Sequence, residues 1–121
     1  MASIVDIVSY FNTAKEQAIV WHHQTTSFSE HKALQKFYEN IVELMDTLSE
    51  SYAGIYGRLK DYEVHDLPNW TSTEDTISYY RNCYLWLQDE RKTAPQDTWI
   101  QNQLDEVAQL LGQTLYRLTL K

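Results

Sequence analysis

Apolar residues recur at intervals of three and four through most of the chain, the period of amphipathic helices. Residues 3–23 carry a first stripe of Ile4, Ile7, Val8, Phe11, Ala14 and Ala18, with Ser3 placed to cap it. His22 lies four beyond Ala18, on that stripe, and His23 points about 100° away. Thr25-Thr26-Ser27 breaks the pattern, and Ser27 or Ser29 caps a second helix over about residues 28–56. Its inward positions are Leu34, Phe37, Tyr38, Ile41, Leu44, Met45, Leu48 and Tyr52. At roughly 1.5 Å per residue it is about 40 Å long. Gly54 and Gly57 mark its end, and residues 58–71 read as a long connection with room for a short helical turn.

Ser72 followed by Glu74 and Asp75 is a helix start, a capping hydroxyl before acids in the first turn. The third helix covers about 73–92, with Ile77, Tyr80, Cys83, Tyr84 and Leu87 inward. Pro95 suits the first position of a fourth helix, which runs to about 118 with Ile100, Leu104, Val107, Leu111, Leu115 and Leu118 at helical spacing. No segment alternates as a strand does, and no internal repeat is present. The expected fold is all-α, an antiparallel four-helix bundle formed by residues 1–121 as one domain.

Composition narrows the function. A net charge of −7 argues against a nucleic-acid partner, because such a surface repels phosphate backbones. No apolar run approaches the roughly 20 residues of a spanning helix, so no membrane is expected. The N-terminal stretch has no basic region, and Asp6 interrupts its apolar residues, unlike a signal peptide. Cys83 is the one cysteine, which excludes an intrachain disulfide and a cysteine-based zinc cluster and fits a cytoplasmic location. There is no glycine-rich phosphate loop, HExxH motif or nucleophile elbow. Arg81 is the only basic neighbour that could activate Cys83, so a catalytic thiol is not expected.

Candidate chemistry lies in histidines and carboxylates around the first turn. Asp46 and Glu50 are one helical turn apart and can reach one cation together. His31 sits fifteen residues before Asp46, about 22 Å along the same helix, so one chain cannot join them. A two-fold axis near the middle of the second helix would bring His31 of one copy beside Asp46 and Glu50 of the other. His22, His31, Asp46 and Glu50 are therefore the candidate metal ligands, a set suited to iron, manganese or zinc. Glu39 and Glu43 read as a solvated face, and His23 and His65 as surface residues.

These residues carry a family resemblance. His31-Lys32-Ala33-Leu34, followed by Asp46-Thr47-Leu48-Ser49-Glu50, resembles the text of Dps-type ferritins over about residues 15–57. The WHHQTTSFSEHKAL stretch is also similar to small uncharacterised proteins of tailed phages. The resemblance implies a ferritin-like fold, a homo-oligomer with an iron site across a two-fold interface, and ferroxidase-like activity. Either His22 or His23 takes the place of the family's first histidine. The sequence departs from the family at Gln35, where a carboxylate is usual, and lacks the basic tail of DNA-binding members. The alternative is a non-enzymatic protein on the same fold that binds a host protein or sequesters a small ligand, in the host cytoplasm if phage-encoded. Tyr79, Trp86 and Trp99 would be its anchors.

Overall fold

A computed structural model describes residues 3–121, with four helices and no strand among them. They are α1 (Ile4–Gln24), α2 (Phe28–Tyr56), α3 (Thr73–Glu90) and α4 (Thr98–Leu118). Short polar side chains set the starts. Ser3 and Asp6 form a reciprocal capping box at α1, Ser27 accepts from the Glu30 amide at α2, and Ser72 accepts from the Asp75 amide at α3. Helix α2 stops at Gly57, whose φ of 104° lies in the left-handed region that a side chain would resist.

Helix α4 starts later than Pro95 suggests. Gln96 Nε2 donates to the carbonyls of Arg91, Lys92 and Ala94, and Gln101 Nε2 donates to those of Arg91 and Pro95. These side-chain bonds hold the backbone before residue 98 as a turn. The first helical bond runs from the Gln101 amide to the Asp97 carbonyl. The Asp97 carboxylate does not cap the helix, because it accepts from the Tyr56 hydroxyl at the end of α2, 2.5 Å away. The third helix likewise closes at Glu90, two residues before the expected end, and no helical turn forms in 58–71.

The helices form a bundle in which α1 packs on α2, α2 on α4 and α4 on α3. The inward stripes meet in one core, with Phe11, Leu34, Phe37, Ile41, Leu48, Leu87, Leu104 and Leu111 fully buried. Tyr38, Leu44, Tyr52, Ile77, Tyr84 and Leu115 are only partly buried and pack against that core from its edge. Of the neighbouring helices, α1 and α3 pack least closely, and aromatic rings fill the seam between them. Tyr10 stacks on Trp86 at 3.8 Å, Trp21 meets Tyr79 edge-on, and the Tyr80 hydroxyl donates to the Ala14 carbonyl. Tyr79 and Trp86 are thus committed to this seam and do not stand free as surface anchors. Trp99 remains 37% exposed.

Residues 57–72 form a strap laid along α1. The Glu63 amide donates to Ser9 Oγ, and the Pro68 carbonyl accepts from Gln17 Nε2 and Trp21 Nε1. Gln24 bonds both Asn69 and the Trp70 amide. No helix among the described residues is long and apolar enough to cross a membrane.

Candidate functional site

The three-residue connection between α1 and α2 brings the last turn of α1 against the first turn of α2. His22 and His31 meet there. Their rings stack with centroids 3.7 Å apart and planes 16° from parallel. His22 Nδ1 lies 2.8 Å from the His31 carbonyl, and His31 Nδ1 lies 2.8 Å from the His22 carbonyl. A carbonyl can only accept, so each Nδ1 carries the proton. Each Nε2 of the neutral ring is then left with its lone pair. The His22 carbonyl is one of those left without a partner at a helix C-terminus, so one bond both satisfies the backbone and fixes a tautomer. Two lone pairs lying in near-parallel planes do not converge on one ion. The pair is suited to two adjacent ions, or to one ion and one polar neighbour.

His22 is buried, as its place on the apolar stripe predicts, and His23 is exposed. Tyr38 approaches His22 edge-on at 5.3 Å. Gln35, one turn beyond His31, is half-buried. Asp46 and Glu50 are exposed on α2, one turn apart, as are Glu39 and Glu43. His65 is exposed on the strap, 3.7 Å from Glu63. The fold therefore joins His22 to His31 and leaves Asp46 and Glu50 elsewhere on α2. Among the described residues, no three histidines, cysteines or acids of one chain come together as a metal-holding group.

Glu30, beside His31, escapes the sequence reading altogether. It is 1% exposed. Its carboxylate accepts from Thr25 Oγ1 and Thr73 Oγ1 on one oxygen, and from Trp70 Nε1 and Thr76 Oγ1 on the other. Four donors from the turn, the strap and α3 thus converge on one buried anion, which offsets its desolvation. The available signal was Ser27-x-x-Glu30, a capping-box spacing. That spacing sends the carboxylate to the Ser27 amide, but here the Ser27 amide bonds Thr25 Oγ1 instead. Cys83 is buried, and burial pushes its thiol from 9.0 up to about 12, so it is inert as a nucleophile near neutral pH.

Fold and site together define an all-α bundle with a paired, half-saturated histidine couple at its first turn. The chain belongs to DUF5856, a family of unknown function whose pattern matches residues 22–118. The match begins at His22 and takes in every candidate ligand. No curated protein and no solved structure matches the chain.

Proposed function

We propose that this protein is an antiparallel, ferritin-like bundle that binds a transition metal, iron before manganese or zinc, at a two-fold interface between copies. One observation carries the reading: reciprocal Nδ1 bonds hold His22 and His31 with both Nε2 lone pairs unused. Metal-ligating histidines characteristically donate their other nitrogen in this way. The bundle geometry is supported by contacts at both ends of α2: Tyr56 reaches the start of α4, and Ser29 bonds the Leu120 carbonyl just past the end of α4.

His31 of one copy would hold the ion with Asp46 and Glu50 of the other, and His22, stacked on His31, would hold an adjacent ion or a polar neighbour. Two carboxylates and a neutral imidazole balance a divalent cation without surplus charge. Iron held there would be open to oxidation from Fe(II) to Fe(III) by dioxygen or peroxide. Gln35 brings no charge, so the site is poorer by one carboxylate than that of Dps-type ferritins. That same residue favours a second reading, a bundle of this fold that has lost metal oxidation and binds a host protein or small ligand. The unpaired Cys83 is compatible with the cytoplasm in either case.

The test is aerobic Fe(II) titration of metal-stripped protein, followed by near-ultraviolet absorbance. Saturable oxidation above the buffer rate is expected, and it should vanish in His31→Asn and in Asp46→Asn. Mixing the two inactive variants after subunit exchange should restore about a quarter of the signal, because half the dimers then hold one intact shared site. No protein-dependent oxidation by a well-folded oligomer would favour the second reading. Oxidation without recovery on mixing would overturn the shared two-fold site.

A further inference from the structure

Two surfaces of this chain are unexplained by its own packing, and they are complementary. The first is a groove of about 520 Å³ between the start of α2 and the end of α4. Phe28, 74% exposed, and Leu120, 48% exposed, form its apolar part. Lys32, Lys36, Arg117 and Lys121 line it as well, and Glu39 is the only acid among its lining residues. Four of the ten basic residues thus gather at one place in a chain of net charge −7. Arg117 Nη1 is buried with no hydrogen-bond partner among the described residues. An unpaired buried guanidinium nitrogen costs stability unless an acceptor is brought to it.

The second surface is the middle of the strap, Asp61-Tyr62-Glu63-Val64-His65-Asp66-Leu67. Three acids alternate with apolar side chains, all of them exposed, and Val64 is 95% exposed. The backbone is nevertheless fixed by the bond from the Glu63 amide to Ser9 Oγ. Here is an ordered acidic segment with unburied hydrophobic groups, and elsewhere a basic groove with unburied hydrophobic groups. They cannot meet within one chain. The strap is tied along α1, by Glu63 to Ser9 and by Pro68 to Gln17 and Trp21, whereas the groove lies between α2 and the end of α4.

We propose that the groove receives residues 61–67 of a second copy of this chain. Val64 and Tyr62 cover Phe28 and Leu120, and the strap carboxylates meet Lys32, Lys36 and Arg117. The contact is heterologous, since each copy offers a groove at one end and a strap at another. Repetition therefore builds rings or open chains of copies. None of the candidate metal ligands lines the groove, although Gln35, one turn beyond His31, does.

Sedimentation velocity on the full-length chain tests it with charge reversals. Glu63 and Asp66 are the strap positions to change, because Asp61 has a φ of 65° and tolerates substitution less well. Lys32→Glu with Lys36→Glu should reduce the assembly mass at least two-fold, and so should Glu63→Lys with Asp66→Lys. The chain carrying all four reversals should regain the wild-type mass, and the wild-type assembly should loosen as salt rises. Equal mass in the wild type and both paired variants would overturn the proposal. So would failure of the four-fold variant to recover while its circular dichroism matches wild type. As a check that needs no refolded strap variant, a labelled capped peptide of residues 58–69 should bind the wild-type chain. Binding should weaken at least ten-fold in the Lys32→Glu, Lys36→Glu chain, and unchanged affinity there would also sink the idea.

Discussion

Glu30 and His31 are consecutive residues in the first turn of α2, yet they have opposite chemical standing. Glu30 points into the protein and has every lone-pair direction answered by Thr25, Thr73, Trp70 or Thr76. His31 spends one nitrogen on the His22 carbonyl and keeps the other. A saturated buried group holds structure and has nothing left to offer a ligand. A half-saturated group has its orientation fixed by one bond and retains a valence for chemistry. Burial and charge alone would have drawn attention to Glu30, whereas unused valence points to the histidines.

The contrast is broken most strongly at Glu30. Replacing it by Ala leaves four donors facing a void and should cost upwards of about 3 kcal/mol in urea unfolding. Glu30→Gln should cost less, about 1–2 kcal/mol. The threonine hydroxyls can turn to accept from the amide, but the Trp70 N–H can only donate. A Glu30→Ala chain of wild-type stability would remove Glu30 from its role as the tie between turn, strap and α3.

Cys83 belongs with Glu30 on the saturated, structural side. Burial pushes its thiol from an ordinary 9.0 up to about 12, so folding favours the protonated form. That contribution is complete below pH 9 and is lost as pH climbs from 9 towards 12, at up to about 1.4 kcal/mol per pH unit. The hydroxyls of half-buried Tyr10 and Tyr79 and of fully buried Tyr80, also pushed up chiefly by burial, act in the same direction at higher pH. Denaturant midpoints measured from pH 8 to 11 should fall accordingly, less steeply in Cys83→Ala. A flat profile would contradict a buried thiol.

The histidine pair should give the smallest change in stability. His22→Asn keeps an N–H near the place of Nδ1 and removes the Nε2 lone pair, so its cost should be about 1 kcal/mol. His22→Ala loses that bond and leaves a cavity as well, for about 2 kcal/mol. Thermal unfolding separates the two. If the Asn variant loses as much as the Ala variant, the Nδ1 bond is not what holds the pair.

Periodicity and capping chemistry made most of the helical layout legible. The stripe from Ile4 to Ala18 is buried throughout, and α2 runs from Phe28 to Tyr56 as its pattern predicts. Extending the stripe by one turn separated buried His22 from exposed His23, because the choice depends only on helical phase. The start of α4 was not legible. Gln96 and Gln101 decide it by bonding carbonyls up to ten residues away, and no local propensity encodes that.

What the sequence by itself determined is therefore whatever a single helix decides: which faces are apolar, where the serine caps fall, and that Asp46 and Glu50 share a side of α2. Tertiary structure alone decided what depends on groups distant along the chain. Glu30 became a buried anchor because Trp70, Thr73 and Thr76 arrive from forty or more residues away. Tyr79 and Trp86 became filling for the α1–α3 seam because those helices stand apart. The two imidazoles gained fixed tautomers only when the turn set each ring beside the other's carbonyl. Hydrogen-bond valence is satisfied in three dimensions, so a one-dimensional pattern shows which groups carry it but not which of them remain free.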